Sequence, residues 1–148
     1  MRILDQKKIG YRSFDYTKEN TTVGTEIAMI LNEDPAHVFK TLVTVGKSKK
    51  NYVFMIPVDK ELDLKKAAKA VGEKSIEMIK SKELLPLTGY IHGGCSPIGM
   101  KKFFQTTIHQ SAKDLKTIFF SGGKVGYQVE LSPFDLEKII KIEYKDII

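Results

Sequence analysis

The segment that most constrains this chain is the glycine-rich stretch at residues 89–102. It places four glycines, a proline and a serine within eleven positions and ends on two lysines. Glycine adopts positive φ readily and lets a backbone approach a ligand closely, so the stretch is predicted to be an irregular loop. Successive exposed N–H groups in such a loop can bind an anion or a developing oxyanion. The alternative is an ordinary tight connection between two strands.

A second unusual feature is Lys40, which interrupts the apolar run at residues 38–43. The run predicts a strand, in which side chains alternate between faces, so Lys40 would share a face with Val38 and Leu42. A lysine on an apolar face is costly unless its ammonium reaches water or an anion. Two interpretations fit the pattern equally. The residue is either an edge-strand lysine whose ammonium extends to solvent, or a lysine whose charge binds an anionic ligand in a functional site.

Composition restricts the class of protein. With 148 residues, 42% of them hydrophobic and 28% charged, the chain is predicted to form one globular domain over residues 1–148. The net charge of +6 favours a polyanionic partner. A single cysteine excludes an internal disulfide, and no Cys/His spacing suggests zinc. The sequence shows neither an apolar run of ~20 residues nor a signal peptide, so a cytoplasmic protein with no membrane partner is predicted.

Helical and strand patterns are interspersed along the chain, which predicts a mixed α/β domain. Ser132 is predicted to cap a helix that runs to about Lys141, and Gly72 to end a helix at residues 62–71. Shorter helices are expected at residues 24–31 and 82–87. Strands are predicted at residues 11–16, 38–45, 52–58, 75–79, 103–108, 117–120, 125–131 and 142–148.

Several separated motifs carry a resemblance to a known family. The pattern G-G-x-S-P-x-G at residues 93–99 follows an earlier K-T-L at residues 40–42, and further matches include S-G-G-K-V-G at residues 121–126. In this combination the chain resembles the YbaK/EbsC family, free-standing aminoacyl-tRNA deacylases related to the editing domain inserted in some prolyl-tRNA synthetases. The resemblance covers nearly the whole chain. It implies a single domain with a curved, mixed and partly barrel-like β-sheet surrounded by helices.

The site is predicted from the loop and from this resemblance together. Lys40 matches a family lysine that holds the substrate near its terminal phosphate or ester, which implies positioning and charge stabilisation. The N–H groups around Gly93, Gly94 and Cys95 are predicted to bind the oxyanion that forms when an ester carbonyl is attacked. The predicted substrate-binding residues are Tyr16, Cys95, Ser96, Pro97, Gly99, Ser121 and Gln128. Tyr16 and Ser121 also fit ordinary structural roles, as a partly buried tyrosine and a hairpin-turn serine.

No protein nucleophile is expected in this loop. Cys95 occupies the variable position of the motif, where the family does not require a thiol, and a catalytic cysteine normally has a histidine partner. His92 occupies an equally variable position and is a weak candidate for a base. Ser96 would also need a base, and the G-x-S-x-G elbow is missing. A conventional thiol or serine hydrolase is therefore only an alternative.

The resemblance implies hydrolytic editing of a mischarged tRNA, with Cys-tRNA(Pro) as the favoured substrate and Cys-tRNA(Cys) as a second one. In the cysteine-specific branch the substrate's own thiol attacks its carbonyl. Gln128 stands where some members, notably cysteine-specific ones, carry an aspartate, so the amino-acid preference stays open. The alternatives are an Ala-tRNA(Pro) deacylase that uses water and a non-catalytic tRNA- or nucleotide-binding module. The expected partners are the acceptor end of aminoacyl-tRNA and a prolyl-tRNA synthetase, with no cofactor and no metal.

Overall fold

The computed structural model describes residues 2–6, 9–16 and 21–148. Its helices and strands alternate along the chain, which confirms the predicted mixed α/β class. None of the described helices is long and apolar enough to cross a membrane. The helices are α1 (Arg2–Gln6), α2 (Gly24–Ile30), α3 (Leu64–Val71), α4 (Ser81–Thr88) and α5 (Pro133–Leu136), with 3₁₀ turns at Pro35–His37 and Gln110–Asp114. The strands are β1 (Arg12–Asp15), β2 (Phe39–Gly46), β3 (Asn51–Pro57), β4 (Ile76–Met78), β5 (Gln105–His109), β6 (Ile118–Ser121), β7 (Tyr127–Leu131) and β8 (Ile142–Lys145).

The larger sheet has five strands in the order β4-β2-β3-β5-β8. Strands β2 and β3 form an antiparallel hairpin, whereas β3 pairs with β5, and β5 with β8, in parallel. Helix α3 packs Ala67 and Ala68 against Phe54 and Ile56 of β3. Residues 52–58 are buried without interruption, because this central strand is covered on both faces. That burial explains why the sequence there is continuously apolar and does not alternate.

The smaller sheet has three antiparallel strands in the order β1-β7-β6. A single parallel bridge between Val38 and Phe119 joins it to the larger sheet. Both sheets contribute to one buried apolar cluster, for example through Met55 and Val129. The predicted partly barrel-like sheet therefore consists of two sheets that pack on a common core. Among the described residues this is the one bridge between them, so the ladder does not close. The limits of the domain, residues 1–148, stay a prediction.

The end of α5 differs from the prediction. The hydroxyl of Ser132 accepts hydrogen bonds from two N–H groups of the first turn, as predicted for the cap. The helix ends at Leu136, however, so the prediction that it extends to Lys141 is wrong. The chain beyond Leu136 forms turns that pack Ile139 and Ile140 on the core and lead into β8, which pairs with β5. Packing in this segment takes precedence over helix propensity.

Candidate functional site

A cavity of about 150 Å³ lies where β2, the β6–β7 hairpin, α2 and the glycine-rich loop meet. Lys40, Gly93, Cys95, Ser121 and Gln128, all of them predicted site residues, line this one cavity. The complete set of described lining residues is Thr22, Gly24, Ile27, Val38, Phe39, Lys40, Thr41, Leu42, Val58, Leu84, His92, Gly93, Cys95, Ser121 and Gln128.

Lys40 brings a positive charge to this cavity, and no described residue forms an ion pair with it. The residue is half-buried on β2, in a part of the strand that β4 does not reach, because β4 pairs only with Thr44–Gly46. The described lining residues include no aspartate or glutamate, and the ion pairs of the described part of the chain do not involve Lys40. Within the same part of the chain, no group of three or more His, Cys, Asp or Glu side chains could hold a metal ion. The ammonium is therefore available to a phosphate or a carbonyl oxygen.

The glycine-rich loop offers two N–H groups to a ligand. The N–H groups of Gly93 and Cys95 have no hydrogen-bond acceptor among the described residues, and both residues line the cavity. The N–H of Gly94 instead donates to the carbonyl of Ile91 at 3.0 Å. The role of Gly94 as an oxyanion donor stays a prediction, because in this structure the loop's own turn uses that N–H group. Gly93 and Cys95 are the donors that remain available.

Close packing explains why glycine occupies positions 93 and 94. Gly93 has a φ of 85°, and a Cβ there would lie 2.5 Å from Cγ2 of Thr22. A Cβ on Gly94 would lie 3.0 Å from Cα of Lys124 in the β6–β7 hairpin. Neither position has room for a side chain without movement of its neighbours. The loop is therefore held between the segment that precedes α2 and the hairpin, and this fixes where its N–H groups lie.

Cys95 and Ser96 have the properties of packing residues. The Cys95 side chain is buried in a cluster with Val43 and Val53, and burial raises the pKa of its thiol to about 12. A thiol with that pKa is uncharged at neutral pH and is a poor nucleophile. Ser96 is fully buried, and its hydroxyl accepts the N–H of Ile98 at 3.2 Å. Ser96 is also not among the described residues that line the cavity, so the predicted substrate contact by its side chain is not found.

With the aminoacyl ester that the sequence predicts as substrate, a Cys95→Ala variant is expected to keep most of the wild-type cleavage rate. Its stability is expected to fall only by the small packing loss that removal of one buried sulfur causes. The physical reason is that the buried thiol is protonated and therefore contributes bulk without reactivity. The measurement is single-turnover deacylation, together with the rate at which iodoacetamide labels the wild-type thiol at neutral pH. Complete loss of cleavage in Cys95→Ala, or rapid labelling that abolishes activity, would contradict this view of the loop.

Gln128 lies between Ser121 and Tyr16 in a chain of contacts at the smaller sheet. Gln128 and Ser121 are cross-strand partners on β7 and β6, and both are buried at the cavity wall. The Gln128 amide donates through Nε2 to the hydroxyl of Tyr16 at 3.4 Å. Burial raises the pKa of Tyr16, so its phenol stays neutral. Tyr16 is not among the described lining residues, but its hydroxyl contacts Gln128, which is one of them. In this structure Tyr16 supports the Gln128 side chain, and its direct contact with a substrate stays a prediction.

Pro97 and Gly99 lie on another side of the loop. They line a different cavity, of about 180 Å³, and do not line the one that contains Lys40. Gly99 has a φ of 78°, and a Cβ there would lie 2.8 Å from the hydroxyl oxygen of Tyr90, which donates to the carbonyl of Ile98. The second half of the G-G-x-S-P-x-G motif therefore shapes the loop. Substrate binding by these two residues stays a prediction, since they do not line the cavity that contains Lys40.

Thr22 and Thr41 line the cavity although the sequence reasoning did not select them. Strand alternation places Thr41 on the face opposite Lys40, yet consecutive residues from Val38 to Leu42 all contact the cavity. The hydroxyl oxygen of Thr41 is buried and has no hydrogen-bond partner. The only available signal was the threonine of the K-T-L pattern itself.

Sequence comparison places this chain in a known family. The sequence pattern of the family described as "Aminoacyl-tRNA editing domain" matches residues 17–139. The chain is 41% identical over 148 residues to EbsC of Enterococcus faecalis, whose name makes it a candidate Cys-tRNA(Pro)/Cys-tRNA(Cys) deacylase. That match covers 99% of this chain and 90% of the relative.

Two solved structures share the fold. A hypothetical protein, APE2540, superposes with a TM-score of 0.90 at 22% identity, over 99% of this chain and 96% of the other. A candidate trans-editing enzyme for prolyl tRNA synthetase superposes with a TM-score of 0.86 at 22% identity, over 97% of this chain and 90% of the other. Together with the sequence matches, they confirm the resemblance predicted from the motifs. The chain belongs to the aminoacyl-tRNA editing domain family.

Proposed function

We propose that this protein is an aminoacyl-tRNA deacylase that acts in trans and removes cysteine from Cys-tRNA(Pro) and Cys-tRNA(Cys). The observation that carries the proposal is the cavity in which Lys40 meets the acceptor-free N–H groups of Gly93 and Cys95. A cation and two backbone donors around one small volume suit an ester whose carbonyl oxygen gains negative charge. The substrates in the name of the 41% identical relative support the same reaction.

The size of the cavity favours a small acyl group. Its volume of about 150 Å³ is roughly half of the ~300 Å³ at which pockets for drug-sized ligands begin. A cysteinyl or alanyl group fits this volume, whereas the terminal nucleoside of the tRNA does not. The nucleoside would therefore stay at the mouth of the cavity, beside the exposed His92.

The proposed reaction uses a nucleophile that the substrate brings. The cysteine thiol of the substrate loses its proton to solvent, and its sulfur attacks the carbonyl carbon of the same residue. The carbonyl oxygen becomes an oxyanion, which accepts hydrogen bonds from the N–H groups of Gly93 and Cys95. Collapse breaks the carbon–oxygen bond to the tRNA, and the departing oxygen takes up a proton from solvent. Cysteine leaves as a cyclic thioester, which water then hydrolyses.

This route agrees with the lack of an activated nucleophile among the described cavity residues. The Cys95 thiol is neutral because burial raises its pKa to about 12, and the hydroxyl of Ser96 is buried in its own turn. An aminoacyl ester is already reactive, so positioning and charge stabilisation supply most of what catalysis requires. Lys40 would supply that charge, at the ester or at the terminal phosphate.

The proposed partners follow from the substrate. The acceptor end of an aminoacyl-tRNA would bind at the cavity, and the net charge of +6 favours association with its phosphates. A prolyl-tRNA synthetase is the proposed source of the mischarged tRNA. The same substrate implies action in the cytoplasm, where tRNAs are charged.

The test is deacylation at enzyme excess of Cys-tRNA(Pro), Ala-tRNA(Pro) and correctly charged Pro-tRNA(Pro). The cysteinyl ester is expected to disappear about tenfold or more faster than the alanyl ester, because only cysteine carries an internal nucleophile. The prolyl ester is expected to persist. Faster loss of the alanyl ester would favour the water-dependent alternative. If all three esters remain intact, the protein is a binding module and the proposed function is wrong.

A further inference from the structure

Two buried oxygen atoms in the wall of the cavity have no hydrogen-bond partner. They are Oε1 of Gln128 and Oγ1 of Thr41, and both residues line the cavity that contains Lys40. The Gln128 residue is only 4% exposed. Buried polar atoms in folded proteins nearly always have a hydrogen-bond partner. Two atoms without one in a single small cavity therefore indicate that a ligand supplies the missing hydrogen bonds.

The Gln128 amide is held in one orientation from behind. Its Nε2 donates to the hydroxyl of Tyr16 at 3.4 Å, and Tyr16 is fixed in turn because its own N–H donates to the carbonyl of Gly126 at 2.6 Å. Gln128 also pairs across the sheet with Phe14 on one side and Ser121 on the other. One N–H of the amide is therefore already used by Tyr16, and the carbonyl oxygen is the buried atom that has no partner.

The chemistry of the two atoms defines what they can bind. An amide oxygen only accepts hydrogen bonds, so a ligand that pairs with Gln128 must bring a donor, and the threonine hydroxyl can accept from a second donor of the same group. In an aminoacyl ester the α-amino group carries such donors, and it lies one carbon away from the carbonyl. We infer that Gln128 and Thr41 form an acceptor pair that recognises the free α-amino group of the substrate. This inference rests on the proposed function.

The pair would determine which esters the protein accepts. An aminoacyl-tRNA whose amino group is acylated keeps only one N–H and carries a bulky substituent at the same place. A cavity of about 150 Å³ has little room for that substituent. Peptidyl and N-formylated esters are therefore rejected, and the activity is confined to free aminoacyl esters.

The test compares two non-hydrolysable adenosine analogues in which an amide replaces the 3′ ester. One carries cysteine and the other carries 3-mercaptopropionic acid, which keeps the thiol and lacks the amino group. The wild-type protein is expected to bind the cysteine analogue roughly tenfold to a hundredfold more tightly, as measured by calorimetry. Thr41→Val and Gln128→Leu are each expected to remove most of this preference. Gln128→Glu keeps the acceptor oxygens and is expected to retain it.

Thr107→Val is the matched control, because Oγ1 of Thr107 is also buried and unpaired but the residue does not line this cavity. It is expected to leave the preference unchanged, and thermal unfolding shows whether each variant folds. Equal wild-type affinity for the two analogues would overturn the inference, as would an equal loss of affinity for both in Thr41→Val. Cleavage of the corresponding esters is followed in parallel. A binding preference without ester cleavage would support the acceptor pair and refute the proposed function.

Discussion

A Lys40→Ala variant is expected to cleave Cys-tRNA(Pro) about 10²- to 10³-fold more slowly than the wild-type protein, the usual loss when one transition-state donor is removed. Among the described lining residues Lys40 supplies the only lysine or arginine charge, and no carboxylate among them neutralises it. Single-turnover rates with enzyme in excess measure the change, because they separate the chemical step from product release.

Two further variants separate the charge of Lys40 from its bulk and from the overall charge of the protein. Lys40→Met keeps most of the aliphatic stem and is expected to lose as much activity as Lys40→Ala. Lys69→Ala removes the same charge from the exposed side of α3 and is expected to retain activity. The variants are expected to unfold at similar temperatures, since the ion pairs of the described residues do not involve Lys40. Full activity in Lys40→Met would contradict the assigned role.

A Gly93→Ala variant is expected to lose stability and to lose at least about tenfold in deacylation rate, because displaced donors no longer meet the oxyanion. Its φ of 85° is left-handed, which costs an alanine about 1–2 kcal/mol. Its Cβ would also lie 2.5 Å from Cγ2 of Thr22, so the loop or the threonine must move. Chemical denaturation measures the change in stability, and single-turnover deacylation measures the change in rate.

Gly72→Ala is the matched control for this variant. Gly72 has a φ of 74°, close to that of Gly93, but a Cβ there would have no atom within 4 Å. It ends α3, away from the described lining of the cavity. The control is expected to be destabilised by about 1–2 kcal/mol as well, through backbone strain alone, and to keep its deacylation rate. If Gly93→Ala were as active as Gly72→Ala, the position of the loop would not matter for catalysis.

Much of the fold could be predicted because local patterns and tertiary packing agree. Gly72 ends α3 in the left-handed conformation, as the sequence indicates. The start of the helix differs from the prediction, because Asp63 accepts the N–H groups of the first turn and α3 begins at Leu64, not at residue 62. The apolar run in β3 is equally clear because the strand is buried throughout. The end of α5 could not be predicted. It depends on Ile139 and Ile140 packing against strands that are distant in the sequence.

The candidate site was only partly predictable. A cation in an apolar strand and a glycine-rich loop are visible as motifs, and the structure brings Lys40 and Gly93 into one cavity. The sequence does not show which N–H groups of the loop are already hydrogen-bonded within it, as that of Gly94 is. Nor does it show which residues of the loop face the cavity that contains Lys40. Pro97, which was predicted as a site residue, lines the other cavity. Thr41 was overlooked because alternation along an ideal strand does not describe a cavity that contacts consecutive residues.

The backbone N–H resonances of the loop offer the most direct observation of an aminoacyl group bound in this cavity. The amide-linked cysteinyl analogue of the 3′ adenosine is titrated into ¹⁵N-labelled protein. The N–H signals of Gly93 and Cys95 are expected to move downfield and to saturate together, since both gain an acceptor. The N–H of Gly94, already bonded to Ile91, is expected to keep its hydrogen bond. Saturation of binding with unchanged signals from Gly93 and Cys95 would show that the acyl group binds elsewhere.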